Sequence, residues 1–350
     1  MSPDTTLFTL PHAVAGVMVL SLNAYVLLAG ADFGGGVWDL LASGPRRDRQ
    51  RAAVADAIGP IGEANHVWLI LVVVLLFTCF PRAFAHLSTA LHVPITLMLV
   101  GIVLRGSAFT FRSYDRKTDA VQRSWGRVFA IASVVTPVLL GVCLGAVASG
   151  AVPLAPPDAS RSFSAVYLRP WVTPFTLAVG LLSLTLFAHL AAVYLAWERD
   201  EPELQEDFRR RALASAVAVF VVGTATIVLA RAHAPLVYAG LTRGATAIGM
   251  HAVTALAGLT GVWALWRRRW LTAVVAAAAQ ASFLLWGWAW SQFPWLVPPS
   301  HSIAELAAPR ITMQLVLSVL GVGTAILLPS FFYLFRIFKG RGTVFERLDG

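Results

Sequence analysis

The chain alternates between long apolar blocks and short polar ones. Nine apolar blocks stand out, over about residues 11–31, 66–84, 88–109, 127–148, 171–197, 212–230, 245–266, 270–292 and 310–338. Each approaches or exceeds the roughly 20 residues that a helix needs to cross the hydrocarbon of a bilayer. The pattern predicts an all-α fold, a polytopic transmembrane helix bundle of about nine spans. Few polar residues separate the second block from the third, so eight spans is the alternative count. Nothing marks off a soluble domain, and residues 1–350 read as a single integral membrane domain. Residues 149–170, with "SGAVPLAPPDASRSF", read as a turn-rich outer loop. Residues 198–211, "ERDEPELQEDFRRR", carry acids first and bases last; they read as a cytoplasmic loop, a surface turn with a short helix at its end.

Composition agrees. Hydrophobic residues make up 57% of the chain and charged residues 13%, against about a quarter charged in a soluble domain. A net charge of +9 raises the question of nucleic acid, but the distribution answers it. With the N-terminus outside and nine spans, 20 of the 27 Lys and Arg fall in cytoplasmic segments and 6 in outer ones. This is the positive-inside asymmetry of a multi-pass protein with a cytoplasmic C-terminus. No nucleic-acid partner is expected, and membrane lipid is. The first block lacks a basic leader and an Ala-x-Ala site, so no cleavable signal is expected. Cys79 and Cys143 lie in apolar runs and read as packing residues. Trp286, Trp288, Trp290 and Trp295 cluster at one membrane face, and Trp263, Trp266 and Trp270 at the other. Interfacial belts account for both, with a cofactor box in "WGWAW" the sharper but less favoured reading.

Ionisable side chains inside spans are costly and mark candidate sites. In "YVLLAGADFGGGVWDLL", Gly30 and Gly34 form a small-xxx-small pair that lets a neighbouring backbone approach. Asp32 sits between them. Gly34, Gly35 and Gly36 are expected to loosen the helix towards the cytoplasm, and Asp39, beyond them, to be solvated. In "GPIGEANHVWLI", Glu63 opens the second span, as a cap to the helix dipole or as a functional acid, with His66 three residues on along the same face. Arg105 falls near the inner end of the third span. Asp32, Glu63, His66 and Arg105 thus come to similar depth. Two compatible readings follow: an ion pair through Arg105 that sets helix register, and a proton-accessible carboxylate whose pKa burial and Arg105 set. No two histidines are placed as a persuasive bis-imidazole pair, so no haem is expected on this chain alone. No Walker, dinucleotide or zinc motif appears.

The blocks "LLAGADFGGG", "GPIGEANHVWLI", "LRGSAFTFRS" and "FPWLVPPS", with a final Pro-interrupted helix ending "FFYLFRIFKGR", resemble subunit II of the cytochrome bd-type quinol oxidases. The likeness spans the chain and is strongest within residues 1–115, which also hold the intramembrane charges. The resemblance implies a haem-free subunit in a bacterial cytoplasmic membrane, paired as a heterodimer with a haem-bearing subunit I, with or without a small extra subunit. Haems b and d and the oxidation of quinol would belong to that partner, and oxygen would be reduced to water. This chain would stabilise the partner, contribute inner-side acids to a proton route, and hold a structural quinone or lipid. Many members carry an acid where this chain has Ala29. Asp32 matches the second acid of that motif. Glu63, Asn65 and Trp68 are kept, and His66 is a departure.

The leading expectation is therefore an accessory oxidase subunit in which Asp32 and Glu63 relay protons. His66 would assist, since imidazole titrates near neutral pH. A purely structural assembly subunit and a secondary transporter or channel are the alternatives.

Overall fold

A membrane span must satisfy its backbone internally, and the chain does so with helices throughout. The computed structural model describes residues 9–58, 65–114, 119–152 and 162–339. It begins with α1 (Leu10–Leu40), followed by the polar helix α2 (Arg47–Ile58), α3 (His66–Cys79), α4 (Pro81–Ala90), α5 (His92–Tyr114) and α6 (Asp119–Ser149). After the short α7 (Phe163–Tyr167) come α8 (Pro174–Glu198), α9 (Pro202–His233), α10 (Pro235–Thr242), α11 (Gly244–Trp266) and α12 (Trp270–Ser291). A two-stranded antiparallel turn, β1 (Trp295–Val297) and β2 (His301–Ser302), leads into α13 (Arg310–Lys339).

Among the described residues, eight helices are long and apolar enough to cross a bilayer, and a ninth crossing is counted if α3 and α4 form one span. They are bent by 119° at their junction. The block expected to run as one span over 66–84 is thus broken at Phe80. Pro81 has no N–H to give and disfavours helical backbone in the residue before it, and Phe80 sits at φ −136°, ψ 58°. The break would leave carbonyls open at the end of α3. One of them, on Cys79, accepts a hydrogen bond from the N–H of Ala308 at 2.8 Å.

Two further expectations are corrected. Residues 202–211, read as a surface turn with only a short helix at its end, are helical throughout and form the first turns of the 32-residue α9. Pro202 occupies its N-terminal position, Glu203 complements the dipole, and Glu206 pairs with Arg209 and Arg210 at helical spacing. The glycine triplet does not loosen α1, which is continuous over 31 residues, about 46 Å of helix.

The glycines serve close approach instead. α8 is the centre of the bundle and packs against α9, α6, α1 and α12. A Cβ on Gly34 would lie 2.0 Å from the carbonyl oxygen of Phe187, and one on Gly30 would lie 3.0 Å from the Phe187 ring. Both glycines therefore turn towards α8. One turn on, Trp38 Nε1 donates to the Ala188 carbonyl at 2.7 Å. Gly141 of α6 and Gly180 of α8 make a second backbone-to-backbone crossing. α13 stands apart, largely exposed, with its main contacts to α1 and α3.

A side chain at position 34 has nowhere to go. Gly34→Val is expected to destabilise the folded protein by about 1–3 kcal/mol or more through overpacking. Gly16→Val, in open space on the same helix, should change stability by less than about 0.5 kcal/mol. Thermal unfolding of the two purified variants checks the contrast.

Candidate functional site

The polar groups inside the bundle gather where α1, α3, α5 and α6 meet. Asp32 and Arg105 form a direct ion pair, with Nη2 3.0 Å from Oδ1 and side chains 4% and 5% exposed. The same Nη2 donates to the Asp32 backbone carbonyl at 3.1 Å. The guanidinium lies over the rings of Phe33 and Phe129, at 4.8 and 5.3 Å from their centroids. Guanidinium tolerates such faces because it is weakly hydrated and attracted by the ring quadrupole. Asp32 Oδ2 and Arg105 Nε are buried and have no hydrogen-bond partner.

His66 begins α3 and is half-buried. Its Nδ1 lies 3.5 Å from the hydroxyl of Tyr25, and its ring packs against Tyr25 and Phe33. His66 therefore meets α1 between Tyr25 and Phe33, the latter next to Asp32 in sequence. Phe33 also stacks on Phe187 of α8, so one ring touches Arg105, His66 and the central helix. Asn65 is buried at the N-cap position of α3, where its side chain makes no capping hydrogen bond. Trp68 is half-buried against the main core. Gly30 and Gly34 shape the α8 side of the same stretch. Glu63 lies outside the described residues. The structure thus brings Asp32, His66 and Arg105 together and assigns Arg105 to Asp32.

Three features went unread in the sequence. Tyr25 lies seven residues before Asp32, hence on the same helical face, and is 1% exposed. Asp39, seven residues after Asp32, was expected to be solvated and is 2% exposed. It is covered because α2 folds back over the end of α1, with Arg51 Nε 3.9 Å from its Oδ1. The third is a polar clamp between the start of α2 and α9. Asp207 accepts two hydrogen bonds from Arg46, at 2.8 and 2.6 Å, and a third from Gln50 at 2.9 Å. Gln50 in turn accepts one from Arg211 at 2.6 Å. The i, i+7 spacing was the available signal for Tyr25 and Asp39; nothing local points from residue 46 to residue 207.

Of the histidines, His189 on α8 is 3% exposed, and its Nδ1 is engaged by the Ala212 carbonyl at 3.1 Å and Ser215 Oγ at 3.2 Å on α9. Among the described residues, no group of three or more His, Cys, Asp or Glu is placed to hold a metal ion. Cys79 and Cys143 are free thiols.

Removing one partner of a buried ion pair strands the other. Arg105→Leu is expected to lower stability by about 3–5 kcal/mol. Asp32→Leu/Arg105→Leu should recover most of that loss, because no charge remains to bury. Thermal unfolding of the purified single and double variants measures both.

Comparison with known proteins places this geometry. The family model described as cytochrome bd terminal oxidase subunit II matches residues 10–338. The chain is 26% identical over 199 residues to the cytochrome bd ubiquinol oxidase subunit 2 of Bacillus subtilis, covering 56% of each chain. It is 28% identical over 150 residues to the cytochrome bd-I ubiquinol oxidase subunit 2 of Escherichia coli K12, covering 43% of this chain and 39% of that one. These two alignments thus span only about half, or less, of the relatives' length. A longer alignment, 19% identical over 322 residues and covering 90% of this chain and 91% of the other, joins it to a putative cytochrome bd menaquinol oxidase subunit II of Bacillus subtilis. A chain in the structure of bd oxidase from Geobacillus thermodenitrificans superposes with a TM-score of 0.78 at 23% identity, covering 96% of this chain and 100% of that one, and so shares the fold. The chain belongs to the family of cytochrome bd terminal oxidase subunit II.

Proposed function

We propose that this chain is the haem-free second subunit of a bd-type terminal oxidase. In this reading it holds a haem-bearing subunit I in the membrane and helps bring protons from the cytoplasm for the reduction of oxygen to water. Quinol is the electron donor, oxidised on the partner. Family membership supports the assembly. The donor class follows relatives whose names specify ubiquinol and menaquinol. The N-terminus lies outside and the C-terminus in the cytoplasm, a placement that rests on the Lys and Arg asymmetry.

The observation that carries the proton role is the half-satisfied carboxylate of Asp32. Oδ1 is held by Arg105, while Oδ2 is buried and open. A residue serving only to lock helices would gain by engaging both oxygens. One carboxylate oxygen left without a hydrogen-bond partner among the described residues is what a proton acceptor requires. Arg105 keeps the carboxylate from being an isolated charge in lipid. His66 and Glu63 would exchange protons with it. Gly30, Gly34, Asn65 and Trp68 shape the stretch around it.

A second reading is favoured by the ion pair itself: Asp32 and Arg105 serve assembly alone. One experiment separates the two. Asp32→Asn and Glu63→Gln are expected to lower oxygen-consumption turnover by about tenfold or more, the scale of a lost proton-transfer group, in complexes that retain full haem content. Normal turnover per haem with poor assembly would support the structural reading. Recovery of the chain from its native membrane without a haem-bearing partner would overturn the oxidase assignment in favour of a transporter or channel.

A further inference from the structure

The buried acid on α1 has a neighbour that the proton-route reading does not use. Asp32, Gly36 and Asp39 fall at i, i+4 and i+7 and share one face of α1 over about 10 Å. Asp39 is buried, yet a side chain that reaches it from α2 is not. Arg51 of α2 sits 3.9 Å from Asp39 Oδ1, donates to the Asp39 carbonyl at 3.3 Å, and is itself 31% exposed. Asp39 is therefore one side chain away from water on the α2 side. Asp32, two turns deeper, is enclosed by Arg105 and two phenylalanine rings.

The space between the two acids is not purely apolar. From α6, Ser133 rests on Gly36, its Oγ 2.2 Å from where a Cβ on that glycine would stand. Ser133 is 0% exposed, and its Oγ has no hydrogen-bond partner. Hydroxyls in such helices usually bond to a carbonyl one turn back, and Ser21, Thr226 and Ser282 do so here. Ser133 does not. The Ser133 hydroxyl thus lies against α1 one turn from Asp32, whose Oδ2 also has no hydrogen-bond partner among the described residues. Buried polar atoms in this condition are ordinarily met by ordered water.

We infer that Asp39 is the entry carboxyl for protons bound for Asp32, passed along water held by the Ser133 hydroxyl across Gly36. The inference rests on the reading of Asp32 as a proton acceptor. Asp39 takes a proton from water beside Arg51, passes it to water on Ser133 Oγ, and Asp32 Oδ2 receives it. Asp39 is then reprotonated from the same side. Gly36 is required because any side chain there would displace Ser133 Oγ. The arrangement also supplies an acid on the α2 side of Asp32 in a chain that has Ala29 on the other side.

The test uses the intact complex purified from its membrane, with haem content measured for every variant. Asp39→Asn is expected to lower turnover per haem by about tenfold, within the range for loss of a proton-transfer group. It should also raise the solvent deuterium isotope effect on turnover and slow proton uptake reported by a pH-indicator dye. Asp39→Glu should restore most of all three. Ser133→Ala, which removes one oxygen from a packed site, should slow proton uptake several-fold with haem content unchanged, and it carries the test if Asp39→Asn fails to assemble. Wild-type turnover, isotope effect and proton uptake in Asp39→Asn or, failing that variant, in Ser133→Ala, alongside a slow Asp32→Asn, would overturn this inference and leave the Asp32 route standing. Wild-type values in Asp32→Asn as well would overturn the route itself.

Discussion

Neither Asp32 nor Arg105 is tenable alone inside the bundle. An isolated charge in the membrane interior is costly, and so is half of a broken pair. Their contact at 3.0 Å is therefore a condition on the rest of the structure. α1 and α5 must approach at that depth, Phe33 and Phe129 must flank the guanidinium, and α6 must bring Phe129 into place. The register of three helices follows from one electrostatic requirement. Meeting that requirement through Oδ1 leaves Oδ2 without a hydrogen-bond partner among the described residues.

The pair works because α1 is seated on α8 by contacts that tolerate no bulk. Gly30 and Gly34 turn one side of α1 towards Phe187, and Trp38 locks the next turn to the Ala188 carbonyl. The opposite side is then free to present Tyr25, Asp32 and Asp39 in a line. One helix thus divides its labour by angle: small residues where it must pack, polar residues where it faces α3, α5 and α6. Above that line, α2 is pinned to α9 through Arg46, Gln50, Asp207 and Arg211. This clamp keeps Arg51 over Asp39.

Much of this was legible because the bilayer is a severe reader of sequence. Every apolar block long enough to span, except 66–84, lies in the helix expected of it, and depth alone anticipated that Arg105 and Asp32 would meet. Depth says nothing of angle. Asp39 was misjudged for a related reason: its distance from the apolar centre was right, but α2 folding back over it is a long-range event. The break at Phe80 was signalled by Pro81 and overridden by the hydropathy of the surrounding run. The start of α9 was read as a surface turn with only a short helix at its end because its acids-then-bases order was taken for surface polarity. That order is also what a helix dipole favours. The Arg46–Asp207 clamp joins residues far apart in sequence, and no local pattern encodes it.

The hydrogen bond from Ala308 to the Cys79 carbonyl has a consequence in time as well as in space. Cys79 is made well before Ala308. Until the later segment arrives, the end of α3 has an unsatisfied carbonyl close to lipid, a condition that membranes penalise by several kcal/mol. The front of the bundle, with its ion pair and its acids, therefore stays provisional during biogenesis. The later segment closes it, as a keystone closes an arch.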